Sequence, residues 1–309
     1  MYAPLTPAMK QKCGHGFTVY GLLPDLPELA EKRFFWSGNL AEFDLVVVAL
    51  GAHWPLFGLG EIAWDLSRVL PSEKLVIIDG EDVPAFFPFA WRVLRRSPLL
   101  AFARFSRHLY FKRELAEGGL CYGLERVPRP LRAFIPLPRN ARSIAFGIPK
   151  EKISRITAQQ KTKEFCRHIV DPEIASQVAG SVYGELGAQR WAFDKEADYY
   201  ADLRASRFGI TTKRGGWDCL RHYEMAANGC VLCFKNLPDK PDSCAPLGLN
   251  PGNCIAYRDF ADLSAQISQI TPARYACLLK GTYDWIDQNT TEARALQFLA
   301  TCGCDVSGL

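Results

Sequence analysis

A chain of 309 residues, 48% hydrophobic and 23% charged, has the proportions of a folded globular protein rather than of a disordered or fibrous one, and at ~100–200 residues per domain it has room for two domains. The formal net charge of +4 tolerates an anionic partner but falls short of the basic excess of a dedicated nucleic-acid binder. Eleven cysteines, odd in number and scattered, exclude a disulfide-stapled design and point to a reduced cytoplasm.

The opening residues MYAPLTPAMKQKCGHG lack the basic, apolar, small-residue order of a secretory leader. No window reaches the ~18 uninterrupted apolar residues of a membrane span. The expectation is a cytoplasmic protein, at most peripheral at the inner membrane face. FDLVVVALG at 43–51 and KLVIIDG at 74–80 are short β-branched runs closed by glycine, which reads as buried parallel strands. LGEIAWDLSRVL between them has apolar residues at helical spacing, completing a βαβ unit. RHLYFKREL at 107–115 supplies a further strand. ERVPRPLRAFIPLPRNAR, 125–142, is rich in proline and arginine and reads as an inter-domain linker.

After it, SIAFGIP reads as the first strand of a second α/β unit, followed by a polar helical stretch over 151–165. YYADLRASRFGITT gives a helix ending near Ser206 and a strand over Phe208 to Thr211. CVLCF is the next strand, CIAYRDFADLSAQISQI a short strand and a helix, and the tail from Arg274 to about Cys302 is helical. Cys230 and Cys233 have the spacing of a redox or zinc half-site. In a strand, however, alternate side chains point to opposite faces, so core packing is the preferred reading. The whole predicts α/β architecture with two Rossmann-like domains facing across a cleft, over 1–135 and 136–285, and a helical tail over 286–309 packing back on the first domain. In open α/β sheets ligands sit beyond the carboxyl ends of the strands.

The chemistry concentrates where the strand ending at Thr211 runs into Thr212, Lys213, Arg214, Gly215 and Gly216. A helix is expected from an N-cap at Asp218 to a stop at Asn228-Gly229. A helix amino terminus presents unpaired N–H groups, and glycines before it let an anion approach the main chain. Lys213 and Arg214 add full charges at that mouth, and Arg221 lies within one turn. Glu224, three residues after Arg221, shares its face. A carboxylate beside a phosphate site repels its ligand unless it accepts hydrogen bonds from sugar hydroxyls, so the pair suits a nucleoside with its phosphates. Taken singly, Arg221 and Glu224 read as a helix-surface ion pair and the glycines as a plain turn; taken together they favour the anion site. The segment is neither a Walker phosphate loop nor Gly-x-Gly-x-x-Gly.

SRFGITTKRGGWDCLRHYEMAANGCVLCF resembles the donor-binding segment of two-domain GT-B glycosyltransferases, especially exostosin-like and related bacterial families. There a strand, a polar turn, an arginine-containing helix ending Glu-Ala-x-x-x-Gly and a Val-Pro strand recur. Glu224 to Gly229 is similar to that glutamate-to-glycine signature, whose glutamate holds the donor ribose, and IAFGIPKEKI resembles the first strand and loop of the same domain. Two positions depart from it: the second glutamate of paired-glutamate members falls on Gly216, leaving Asp218 as a substitute, and the strand proline is Leu232. The resemblance implies a GT-B type fold and transfer of a sugar from a nucleotide-sugar donor, a UDP-sugar above all, to a hydroxyl of a glycan, a lipid-linked acceptor or a modified DNA base. It implies no further cofactor. The chain lacks Asp-x-Asp, so no metal is expected, and Lys213, Arg214, Arg221 and the helix dipole would stabilise the leaving diphosphate. A nucleotide-sugar epimerase of the same fold, or a non-enzymatic module binding nucleic acid or anions, are the alternatives.

An acceptor site with a general base is expected at the strand ends of the first domain. His53 beside Trp54 follows the first strand; Asp79 and Asp82 flank the end of the second. A packed histidine and a solvated acidic turn are the competing readings. Between Phe86 and Leu115, Arg92, Arg95, Arg96, Arg104, Arg107, Lys112 and Arg113 alternate with aromatics. That composition fits an anionic membrane surface, a lipid-phosphate acceptor or nucleic acid. The preferred reading is a helix whose aromatics pack inward while its arginines face water.

Overall fold

The structure is a computed structural model and describes residues 43–50, 59–88, 90, 95–116, 118–124, 126–132, 134–181 and 193–308. Two four-stranded sheets, each wholly parallel and each in sequential strand order, organise it. The first contains β1 (Val46–Leu50), β2 (Leu75–Asp79), β3 (Leu109–Lys112) and β4 (Ala141–Ser143). Parallel neighbours need a crossover. Helix α1 (Leu59–Val69) provides one between β1 and β2, and α2 (Pro98–Phe105), started by the Ser97 side chain accepting the Leu100 N–H, lies between β2 and β3.

The aromatics of 86–115 pack inward: Phe86, Phe87, Phe105 and Tyr110 belong to the core of this unit. Arg95, Arg96 and Arg107 lie exposed, and Arg96 and Arg104 cover the Trp64 ring. Lys112 and Arg113 depart from the reading in which the basic residues of this segment face water, because both are buried. Arg92 lies outside the described residues. Among the described residues no helix is long and apolar enough to cross a membrane.

The proline-rich run is no open linker. It carries a short helix, α3 (Arg129–Arg132), and returns as β4 beside β3, with Tyr110 opposite Ala141. Asn140 pins the return by donating its amide to the carbonyls of Phe105 and His108. SIAFGIP, expected to open the second unit, forms no strand beyond Ser143, the last residue of β4, and the chain after it crosses to the second sheet. Residues 151–165 likewise form two 3-10 turns, Lys150–Lys152 and Ala158–Gln160, rather than a helix. Tyr283 Oη explains why: it accepts the Ile156 N–H and donates towards the carbonyls of Ser154 and Ile156, so these backbone groups find tertiary partners instead of helical ones.

The second sheet contains β5 (Lys163–Phe165), β6 (Ser206–Thr211), β7 (Val231–Lys235) and β8 (Cys254–Tyr257). Side chains alternate strictly across it. Phe208, Ile210, Val231, Cys233 and Ile255 pack under α4 (Pro172–Ala179), α7 (Phe260–Ser268) and α8 (Pro272–Asp287). Cys230, Leu232, Phe234 and Cys254 pack on the other face with α5 (Glu196–Ala205) and α6 (Leu220–Ala227). Cys230 and Cys233 thus serve different cores, and both are free. The last helix, α9 (Thr291–Thr301), returns to the first sheet, where Phe298 meets Phe111 with ring centroids 4.8 Å apart.

Candidate functional site

The loop from Thr212 to Cys219 joins β6 to α6. Lys213, Arg214 and Gly215 are exposed, Thr212 is half-buried, and Gly216, Trp217 and Asp218 are buried. Lys213 Nζ lies 5.2 Å from the Trp217 ring centroid, and Arg214 donates to the Val170 carbonyl at 3.4 Å. Asp218 does not cap the helix; the N-cap residue is Cys219, which makes no side-chain cap bond. The Asp218 carboxylate instead accepts the Phe146 N–H at 3.0 Å and the Tyr223 hydroxyl at 2.8 Å, tying the inter-unit crossing to the helix. Burial lifts its pKa to about 6.

The backbone of this turn already holds an anion, and the protein supplies it. Glu114, just past β3, accepts the N–H groups of Trp217 at 2.7 Å and Asp218 at 3.1 Å through Oε1, while Oε2 accepts the Cys244 thiol at 3.4 Å. Beside it, Arg113 donates to the carbonyls of Asp218 at 2.6 Å and Gly80 at 2.8 Å and pairs with Asp82. The two glycines are what permit this approach: a Cβ at Gly215 would collide with the Asp82 carboxylate, and one at Gly216 with that of Glu114.

Arg221 and Glu224 occupy the inner face of α6. Arg221 donates to Thr211 Oγ1 at 3.1 Å, and His222 Nε2 lies 2.9 Å from the same oxygen. Glu224 is only 1% exposed, which removes the surface ion-pair reading. Its Oε1 accepts the Tyr200 hydroxyl at 3.3 Å; among the described residues neither its Oε2 nor Arg221 Nε has a hydrogen-bond partner. Burial pushes the Glu224 pKa up to about 8, the neighbouring Glu196 adding to the effect and the Tyr200 hydroxyl opposing it. The acid is therefore largely neutral at pH 7. Lys152, paired with Glu196 at 2.8 Å, lies over the Tyr200 ring. His168, edge-on to Tyr199, is pushed down to about 4 by burial and then by Arg221 and Arg214, so it is neutral too. Apart from Lys152, in the 3-10 turn Lys150–Lys152, these neighbours lie just past the carboxyl ends of β5 and β6 and along α5.

The acids of the first unit separate by environment. Asp79 is wholly buried and accepts from Lys112 Nζ at 2.9 Å, from the Tyr110 hydroxyl and from the Glu81 N–H at 3.0 Å. Asp82, its side chain 54% exposed, lies at the junction of the units against Gly215. His53 lies outside the described residues. The structure thus brings Thr211, Arg221 and Glu224 together on one buried face and Gly215, Gly216, Asp218 and Asp82 together at the junction, while Asp79 stands apart. Tyr200 and Glu114 had no role in the sequence reading, and Arg113 figured only as a member of the basic-aromatic run. The only hint was that Glu114 is the first acid after a long basic run.

This is a pair of Rossmann-like α/β units with a polar seam between them and a half-buried arginine and a buried glutamate behind it. No protein-family model and no curated protein matches the sequence. Among solved structures, the sucrose-phosphate synthase of Thermosynechococcus elongatus is similar at 13% identity, covering 92% of this chain and 78% of its own, with TM-score 0.46. The Candida albicans trehalose-6-phosphate phosphatase N-terminal domain is similar at 12% identity over 98% and 77%, with TM-score 0.48. An α,α-trehalose-phosphate synthase (UDP-forming) of Burkholderia vietnamiensis is similar at 12% over 79% and 75%, with TM-score 0.45. At such identities and scores, none of these assigns a role to any residue of this chain.

Proposed function

We propose that the chain is a metal-independent glycosyltransferase that moves a sugar from a nucleotide-sugar donor, a UDP-sugar first among them, to a hydroxyl acceptor. The observation that carries this reading is the Arg221 and Glu224 pair: a half-buried guanidinium and a buried carboxyl group, one helical turn apart, each with a buried polar atom that no described residue meets. A buried polar group without a partner is costly, and a ligand that meets both must offer an anion and hydroxyls within a few ångströms. A nucleoside diphosphate does so, the phosphates towards Arg221 and the ribose hydroxyls donating to Glu224. A ribose hydroxyl would donate to the Glu224 oxygen that no described residue meets. Sugar transfer leaves a diphosphate whose growing charge needs fixed cations. Arg221 supplies one, with Lys213 and Arg214 exposed at the loop mouth. Asp82 is the favoured candidate for a general base, being the acid at the junction with solvent access.

The test is release of UDP from a panel of UDP-sugars, with and without hydroxyl acceptors. Arg221→Ala and Glu224→Ala should each lower turnover by about 100-fold while far-ultraviolet circular dichroism stays that of the parent. Parental rates in both variants would remove the site assignment.

A further inference from the structure

Glu114 sits on a pair of backbone donors. One carboxylate oxygen accepts two successive N–H groups in the loop just ahead of the N-cap Cys219, and successive backbone N–H groups in a turn make an anion-binding concavity. This carboxylate belongs to the first unit, and the strand exit that delivers it also fastens the units together. Arg113 reaches the Asp218 carbonyl, the Ala245 N–H donates to the Arg113 carbonyl at 3.1 Å, and Ser243 Oγ donates to the Leu115 carbonyl at 2.9 Å.

We propose that Glu114 is an internal latch: it fills the anion cradle of the ligand-free protein, and a diphosphate takes the N–H groups of Trp217 and Asp218 only by displacing it. Binding of the nucleotide and release of the β3 exit from the second unit are then one event. The inference rests on the donor reading above and adds regulation of that same site. Two anions cannot share the same N–H groups, and Asp82 and Asp218 nearby deepen the repulsion. A site whose competent state is only partly populated binds with an affinity reduced by that fraction. The Gly215-Gly216 pair has a place in this scheme, since side chains there would keep the acids of the first unit off the turn.

Calorimetric titration of UDP and of inorganic pyrophosphate into the full-length parent, Glu114→Gln and Glu114→Ala decides it. Loss of the competing carboxylate should tighten both probes by about tenfold in the alanine variant, and in the same direction in the glutamine variant, which keeps the side-chain volume but carries no charge. Amide exchange at Trp217 and Asp218 gives a second readout. It should be slow in the parent with or without UDP; in Glu114→Ala it should be fast without UDP and slow with it. If the alanine variant does not fold, the glutamine arm decides alone. Parental binding of UDP with unchanged or weaker binding in the variants overturns the latch and leaves the donor reading standing. Absence of binding in all three proteins overturns both.

Discussion

The exit of β3 and the inner face of α6 are both buried and both charged, yet they treat their carboxyl groups in opposite ways. At β3, Tyr110 and Lys112 donate to Asp79 at the end of β2, which also accepts the Glu81 N–H, and Glu114 holds two amides and a thiol. On α6, Glu224 has one hydroxyl contact at 3.3 Å and an oxygen without a partner among the described residues. Leaving a buried group unmet costs about 1–3 kcal/mol. The carboxylates at β3 are met within the chain, whereas the open oxygen of Glu224 is the one the proposed ribose contact would fill.

The largest effect that could break this contrast is on stability. Asp79→Ala leaves Lys112 buried without its ion-pair partner, and Lys112→Ala leaves buried Asp79 with only the Tyr110 hydroxyl and the Glu81 N–H, with an expected cost of about 3–5 kcal/mol in urea denaturation. A loss too small to measure would mean that the β3 exit is no more tightly held than α6. A smaller, pH-dependent effect sharpens the other side. Folded Glu224 keeps its proton up to about pH 8, whereas an unburied glutamate ordinarily loses it near 4.5. The unfolded chain therefore ionises first, and stability falls as pH rises through this window. Glu224→Gln has no proton to lose, so its stability relative to the parent should climb between these limits, at most about 1.4 kcal/mol for each unit of the window, and level off above pH 8. A constant difference from pH 4.5 to pH 9 would show that the carboxyl group is already well served by its surroundings.

Much of the architecture was legible because the strands are short, β-branched and separated by amphipathic helices, and hydrophobic period is a local signal. The Cys230 and Cys233 assignment followed from strand alternation alone. What escaped was tertiary. β4 sits in a proline-rich run whose pairing with β3 depends on Asn140 reaching the carbonyls of Phe105 and His108, and the segment after Lys150 loses its helix to Tyr283. At the site, the placing of Arg221 and Glu224 on one face was readable from their spacing. The partner of the glycine turn was not: Glu114 and Trp217 are 103 residues apart in sequence, and nothing local joins a strand exit in one unit to a turn in the other. Lys112 and Arg113 misled for a related reason, since a basic run looks the same whether its charges meet solvent or buried acids.

The most direct measurement is the melting temperature of the parent and of Glu224→Ala across a panel of nucleoside diphosphates and their sugars. A ligand at about 100 times its Kd stabilises the folded state by about 2.7 kcal/mol, so at least one uridine nucleotide should raise the parent's midpoint by several degrees and leave that of Glu224→Ala where it was. Silence of the parent across the whole panel, or an equal rise in the variant, would contradict a nucleotide bound against the inner face of α6.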